Sequence, residues 1–152
     1  MLIAQIMFEP GNLLYFDPFI FPDGGEPKPK FFVVLGEIDE SIILASLPTS
    51  KDHIPSDVPV KSGCLEIAER MVNAFIFQAN EVITDNGFFF DKNTFIYGQN
   101  IMTYNSISFL EQKMKGVVDI TVKGKLKDNL FTSLKECLKN SDAVRKKFKK
   151  YL

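Results

Sequence analysis

The chain has 152 residues, of which 45% are hydrophobic and 24% charged. This is ordinary globular usage, and it excludes disorder, collagen and coiled coil as whole-chain readings. The net charge of −1 conceals two unlike parts: residues 1–112 sum to −9 and residues 113–152 to +8. A basic C-terminal segment can meet phosphates or an acidic partner, or simply present a solvated helix face.

One domain spanning 1–152 is expected, because a core of this size buries roughly 68–70% of the unfolded surface. Met1–Phe8 has no basic n-region and runs early into Glu9, so it does not read as a leader. No apolar run reaches the ~18 residues of a membrane helix. The expectation is a cytoplasmic protein with no membrane partner.

In chain order, Asp17–Lys30 carries Pro18, Pro22, Pro27, Pro29 and the pair Gly24-Gly25, a composition that reads as loop. Phe31–Leu35 and Ser41–Leu47 read as strands of one hairpin joined by the acidic turn Glu37–Glu40. Thr49–Val60, with Pro55 and Pro59, is irregular. Lys61–Asn73 is ambiguous: Leu65, Ala68, Met71 and Val72 have helical spacing, but Gly63 and the short length oppose a helix. Ala74–Gln78, Gly87–Phe90 after an Asp85-Asn86-Gly87 turn, Thr94–Tyr97 and Gln99–Ser108 read as further strands.

The pattern then changes. Asp128 is placed to cap a helix whose apolar face is Leu130, Phe131, Leu134, Cys137 and Leu138. Asn140-Ser141-Asp142 can stop it, and Val144, Phe148 and Tyr151 share one face of a second helix clothed by Arg145–Lys150. The expected fold is mainly β (α+β), a small antiparallel β-barrel with a helical segment at about 128–151. Cys64 and Cys137 have no close spacing, and on sequence alone they signal neither a disulfide framework nor a zinc site.

There is no phosphate-binding glycine loop and no nucleophile elbow. His53 is the sole histidine, so no multi-histidine metal site can form. No metal and no cofactor are expected. What remains is a cluster of cations and hydroxyls. A Pro- and Gly-rich loop delivers Lys28 and Lys30 to the start of one strand, and the next strand ends at Thr49-Ser50-Lys51. Antiparallel pairing brings the start of one near the end of the other, a grouping suited to phosphate. His53, close by in sequence, is the candidate acid or base. Phe16, Phe19 and Phe21 read as core or dimer contacts, with base stacking as the alternative.

These segments resemble the MazF/PemK family of toxin endoribonucleases. Lys28-Pro29 stands where that family usually has Arg-Pro before a hydrophobic strand. Leu47-Pro48-Thr49-Ser50-Lys51 stands for its Leu-Thr-Ser-Lys element. Phe90–Tyr104, with Gln99-Asn100-Ile101-Met102-Thr103, is similar to its Asp-Ser-Val-Ile-x-x-x-Gln-Ile-Arg-Thr segment, and Lys123-Gly124-Lys125-Leu126 leads into a helix as in family members. The resemblance spans about residues 10–140 in pattern rather than identity. It implies a homodimer of Src-homology-3-like barrels, the toxin of a toxin–antitoxin pair, cleaving single-stranded RNA without a metal by attack of the 2′-hydroxyl. By the same resemblance Lys28 stabilises charge on the phosphate and Thr49 positions it, with Lys30, Ser50 and Lys51 contacting substrate. The partners implied are RNA and a protein antitoxin. The alternative expectation is a non-catalytic barrel module binding RNA, DNA or a protein, using the loop Asp17–Lys30 and the basic tail.

Overall fold

The computed structural model describes residues 6–152; the first five residues, on which the leader reading largely rests, lie outside it. Among the described residues eight strands form two antiparallel sheets: β1 (Asn12–Phe19), β2 (Lys28–Ile38), β3 (Ser41–Ser46), β4 (Gly63–Ile67), β5 (Val72–Phe77), β6 (Thr94–Tyr97), β7 (Ile101–Asn105) and β8 (Asp119–Lys125). Among the described elements are the helices α1 (Ser106–Met114), α2 (Asp128–Lys139) and the short α3 (Lys146–Lys149). The larger sheet has the order β7-β3-β2-β1-β8 and the smaller β4-β5-β6. The protein is thus mainly β with a few helices. Among the described residues no helix is long and apolar enough to cross a membrane.

Two cores sandwich the larger sheet. On one face Leu13, Val33, Leu35, Ile43 and Ala45 pack against Phe75, Phe77 and Ile96 of the smaller sheet and against Leu134 and Leu138 of α2. On the other, Leu14, Phe16, Phe32, Val34 and Ile42 pack under Phe109 and Leu110 of α1. A third cluster, built on Ile54, Ala74, Ile76, Phe95 and Tyr97, closes the far side of the smaller sheet. Because the larger sheet is covered on both faces, its central strands are nearly continuous apolar runs.

The hairpin β2–β3 forms as expected, turning at Asp39-Glu40 with Asp39 at φ 54°. Other segments depart from the sequence reading. Asn12–Phe19 is a strand that overlaps the expected loop; it pairs with β2 across a one-residue register shift between Phe16 and Phe19. Lys61–Asn73 is not a helix: β4 and β5 pair through it, separated by a 3₁₀ turn, Ala68–Arg70, and by Met71 at φ 55°. Gly87–Phe90 has no ladder partner. The strand expected at Gln99–Ser108 is shorter, because Asn105 Oδ1 accepts the Ser108 N–H (3.0 Å) and caps α1. The Glu40 carbonyl accepts both the N–H and the hydroxyl of Ser106. Asp128 is the first helical residue of α2 rather than its cap, which is Lys127; a carboxylate there still suits the helix dipole. The second C-terminal helix is a single turn.

The cysteine reading is corrected. Cys64 on β4 and Cys137 on α2 form a disulfide with their Cα atoms 5.6 Å apart, across a sequence separation of 73. Folding lays α2 on the smaller sheet, a proximity that spacing cannot reveal.

Close approach requires glycine at position 124. A Cβ at Gly124 would run into the Asn86 side-chain oxygen and stand 2.9 Å from Thr84 Cβ. That Asn86 side chain pins the turn by donating to the Lys123 carbonyl (2.9 Å) and accepting from the Thr84 hydroxyl. Gly124→Ala is expected to lower stability by about 1–3 kcal/mol, as overpacking does, read as a fall in denaturation midpoint with unchanged denaturant slope.

Candidate functional site

The site arises where the β2–β3 ladder ends. The pairs Phe32↔Ser46, Val33↔Ala45 and Val34↔Leu44 fix the register. The Leu47 N–H still donates to the Phe31 carbonyl (3.2 Å). Continued further, the register would set Lys30 opposite Pro48, Pro29 opposite Thr49 and Lys28 opposite Ser50. Two prolines there remove the donors a ladder needs. The chain splays instead, and the Pro48 carbonyl accepts the Phe95 N–H of β6 (3.0 Å). Pro48 therefore carries the chain from the larger sheet to the smaller.

The splay opens a cleft of about 390 Å³ lined by Lys28, Pro29, Lys30 and Phe31 on one wall and Leu47, Pro48, Thr49 and Ser50 on the other. Four of the sequence-predicted site residues (Lys28, Lys30, Thr49 and Ser50) thus share one cleft. Lys51 and His53 are not among its lining residues. His53 is exposed, its ring 4.7 Å from that of Tyr97 and edge-on to it.

Tyr97 is the residue that sequence reasoning passes over, as one more position in a strand. Its ring is buried and its hydroxyl donates to the Ser50 carbonyl. Burial pushes its pKa up to about 12, so it remains a protonated donor at neutral pH and ties down the Thr49-Ser50 wall. Phe95 stacks on its ring, with centres 5.8 Å apart.

The cationic wall is also organised by an aromatic ring. The Lys28 and Lys30 ammonium groups stand 5.7 and 5.2 Å from the centre of the Phe21 ring, within cation–π range. As residues i and i+2 of one strand, they leave the backbone on the same side. Partial burial, and secondarily the charge of Lys28, hold the Lys30 amine below its ordinary value of 10.5. A pair of like charges that depresses one member is stabilised by an anion between them. Lys28 also borders a second groove, of about 420 Å³, formed with Phe21, Asp23, Gly25, Glu26 and Pro27 of the β1–β2 loop. Phe16 and Phe19 are buried at 0% and 2% exposure and belong to the core, which removes them as stacking surfaces.

The basic tail is elsewhere. Lys147 and Lys150 lie over Phe148 and Tyr151 beside a groove lined by Ile38, Ser41 and Thr103. That is the opposite end of β2 from Lys28, about 30 Å away along the strand. The loop and the tail do not form one surface.

Chemically, the residues lining the cleft carry two ammonium groups, two hydroxyls and an apolar wall at the end of two interior strands. Such a set binds a phosphodiester and stabilises added negative charge on it. No known family model matches the sequence, and no curated protein is similar to it.

Proposed function

We propose that the protein is a metal-independent endoribonuclease of the MazF/PemK type, the toxin of a toxin–antitoxin pair, cleaving single-stranded RNA in the cytoplasm. The single observation that carries this reading is the shared cleft of Lys28, Lys30, Thr49 and Ser50. The finer fold assignment, a Src-homology-3-like barrel acting as a homodimer and neutralised by a protein antitoxin, belongs to the same proposal. The Pro48–Phe95 bond that joins the two sheets supports the barrel part of it.

In this chemistry the ribose 2′-oxygen bonds to phosphorus and the bond to the 5′-oxygen breaks, leaving a 2′,3′-cyclic phosphate and a 5′-hydroxyl. RNA supplies the nucleophile, so the protein must align and neutralise. Lys28 holds the non-bridging oxygens and Thr49 fixes the phosphate by hydrogen bonding. Lys30, whose amine is held below its ordinary value by partial burial, gives its proton to the departing 5′-oxygen; the 2′-hydroxyl proton passes to solvent. The reading is tested by incubating the protein with single-stranded RNA in excess chelator. Fragments with cyclic-phosphate ends support it, and intact RNA of every sequence tried refutes it.

A pH prediction follows. An acid must be protonated to act, so the rate falls as pH rises through the Lys30 pKa, which lies below that of a free lysine. Removing the Lys28 charge relieves the secondary cause of the depression. The alkaline limb of the residual activity of Lys28→Ala is therefore displaced to higher pH. A limb that stays in place removes Lys30 from the acid role.

A second reading, a non-catalytic nucleic-acid module with the same cleft, is favoured by two observations: lysine stands where a forked guanidinium is usual, and the sole imidazole packs on Tyr97 outside the cleft. A lysine binds phosphate as a point charge without bidentate geometry. Binding without cleavage in the same experiment decides for it.

A further inference from the structure

Beside the lysine cleft runs a strip of half-buried aromatic rings. Phe31 forms part of the cleft wall. Tyr15 faces it across the β1–β2 pairing, with ring centres 4.6 Å apart. The Phe88 ring centre stands 5.9 Å from that of Phe31. At the far end, the Lys123 ammonium of β8 stands 5.2 Å from the centre of the Tyr15 ring. All three rings are only partly covered, unlike the fully enclosed phenylalanines of the core. None of the ion pairs among the described residues engages Lys28, Lys30 or Lys123. Lys123, unpaired among the described residues, stands at the Tyr15 end of this row of rings, and Phe31 joins the row to the lysine cleft, whose two amines leave β2 on the opposite face, over Phe21.

We propose that Lys123, Tyr15, Phe31 and Phe88 form a base-stacking subsite for single-stranded nucleic acid, continuous with the phosphate cleft. Bases flanking the phosphate held by Lys28 and Thr49 lie on Phe31 and Tyr15, and Lys123 meets a neighbouring phosphate. The inference rests on the nucleic-acid reading above and adds the physical source of strand selectivity. A duplex keeps its bases stacked on one another, whereas a single strand can offer them to protein rings. Stacking tolerates every base, so the subsite predicts strand preference with weak sequence preference.

The test uses fluorescence anisotropy at fixed salt in excess chelator. The probes are a 2′-O-methyl oligoribonucleotide, which lacks the nucleophile, and a strand of equal length with abasic positions. The intact protein is expected to bind the abasic strand at least about tenfold more weakly, the loss of roughly one stacked base. Tyr15→Leu loses about tenfold on the ordinary strand and nothing on the abasic one, while Tyr15→Phe keeps both. Lys123→Ala weakens both strands and lowers the salt slope by about one. Equal binding of ordinary and abasic strands overturns the stacking subsite, as does an equal loss on both from Tyr15→Leu. RNA cleavage accompanied by indifference to base removal overturns this inference alone; no binding of either strand overturns it together with the nucleic-acid reading.

Discussion

Lys28→Ala is expected to slow cleavage of single-stranded RNA by about 10²–10³-fold, the usual cost of removing one preorganised group from the charge developing in a transition state. Thr49→Ala is expected to cost less, because a neutral hydroxyl contributes a hydrogen bond without a full charge. The loss should fall on kcat rather than on KM, since the extra negative charge on phosphorus exists only in the transition state. Lys28→Arg is the informative companion. It keeps the charge and adds the fork, so it retains activity if position 28 grips the phosphate. Lys28 is exposed and takes part in no ion pair among the described residues. The alanine variant should therefore keep the stability of the parent, and a parallel denaturation curve checks this.

The largest effect on stability is expected at the Cys64–Cys137 bond. Replacing both cysteines by serine removes a cross-link that closes a loop of 73 residues and is expected to lower stability by about 4 kcal/mol. That is a large share of the 5–15 kcal/mol typical of a domain. The bond ties α2 to the edge strand of the smaller sheet, so α2 is where protection from hydrogen exchange should fall most. Cys64 is exposed while Cys137 is buried, so a reductant reaches the pair from the β4 side. Denaturation with and without reductant measures what the bond contributes. A difference well under 1 kcal/mol would show that packing of Leu134 and Leu138 holds α2 without the bond.

The parts of this fold that can be read from sequence are those with a local cause. Phe31–Leu35 and Ser41–Leu47 are dense in apolar and β-branched residues around a short acidic turn, and the hairpin follows from them. α2 follows from three- and four-residue spacing over Leu130–Leu138. Because the hairpin register is local, that Lys28, Lys30, Thr49 and Ser50 line one cleft is legible too. What escapes has a non-local cause. Leu13 and Leu14 face different cores, so β1 shows no alternation and its end fades into the proline-rich loop. In β8 only Ile120 is fully buried, and the strand is polar because it lies on an edge. The spacing of Leu65, Ala68, Met71 and Val72 imitates a helix, while Gly63 and the left-handed Met71 impose a strand, a turn and a second strand. The role of Tyr97 depends on where the chain leads after Pro48, and the disulfide on where α2 docks; neither is written in spacing.

The central claim is that positions 28 and 49 act on one phosphate. A double-mutant cycle on RNA cleavage tests it most directly, with kcat/KM measured for the parent, Lys28→Ala, Thr49→Ala and the double variant in excess chelator. Groups that serve the same phosphate are not additive, so the double variant should be scarcely slower than Lys28→Ala alone. Losses that multiply in full would mean that the two residues work on separate sites, and the account of the cleft would be wrong.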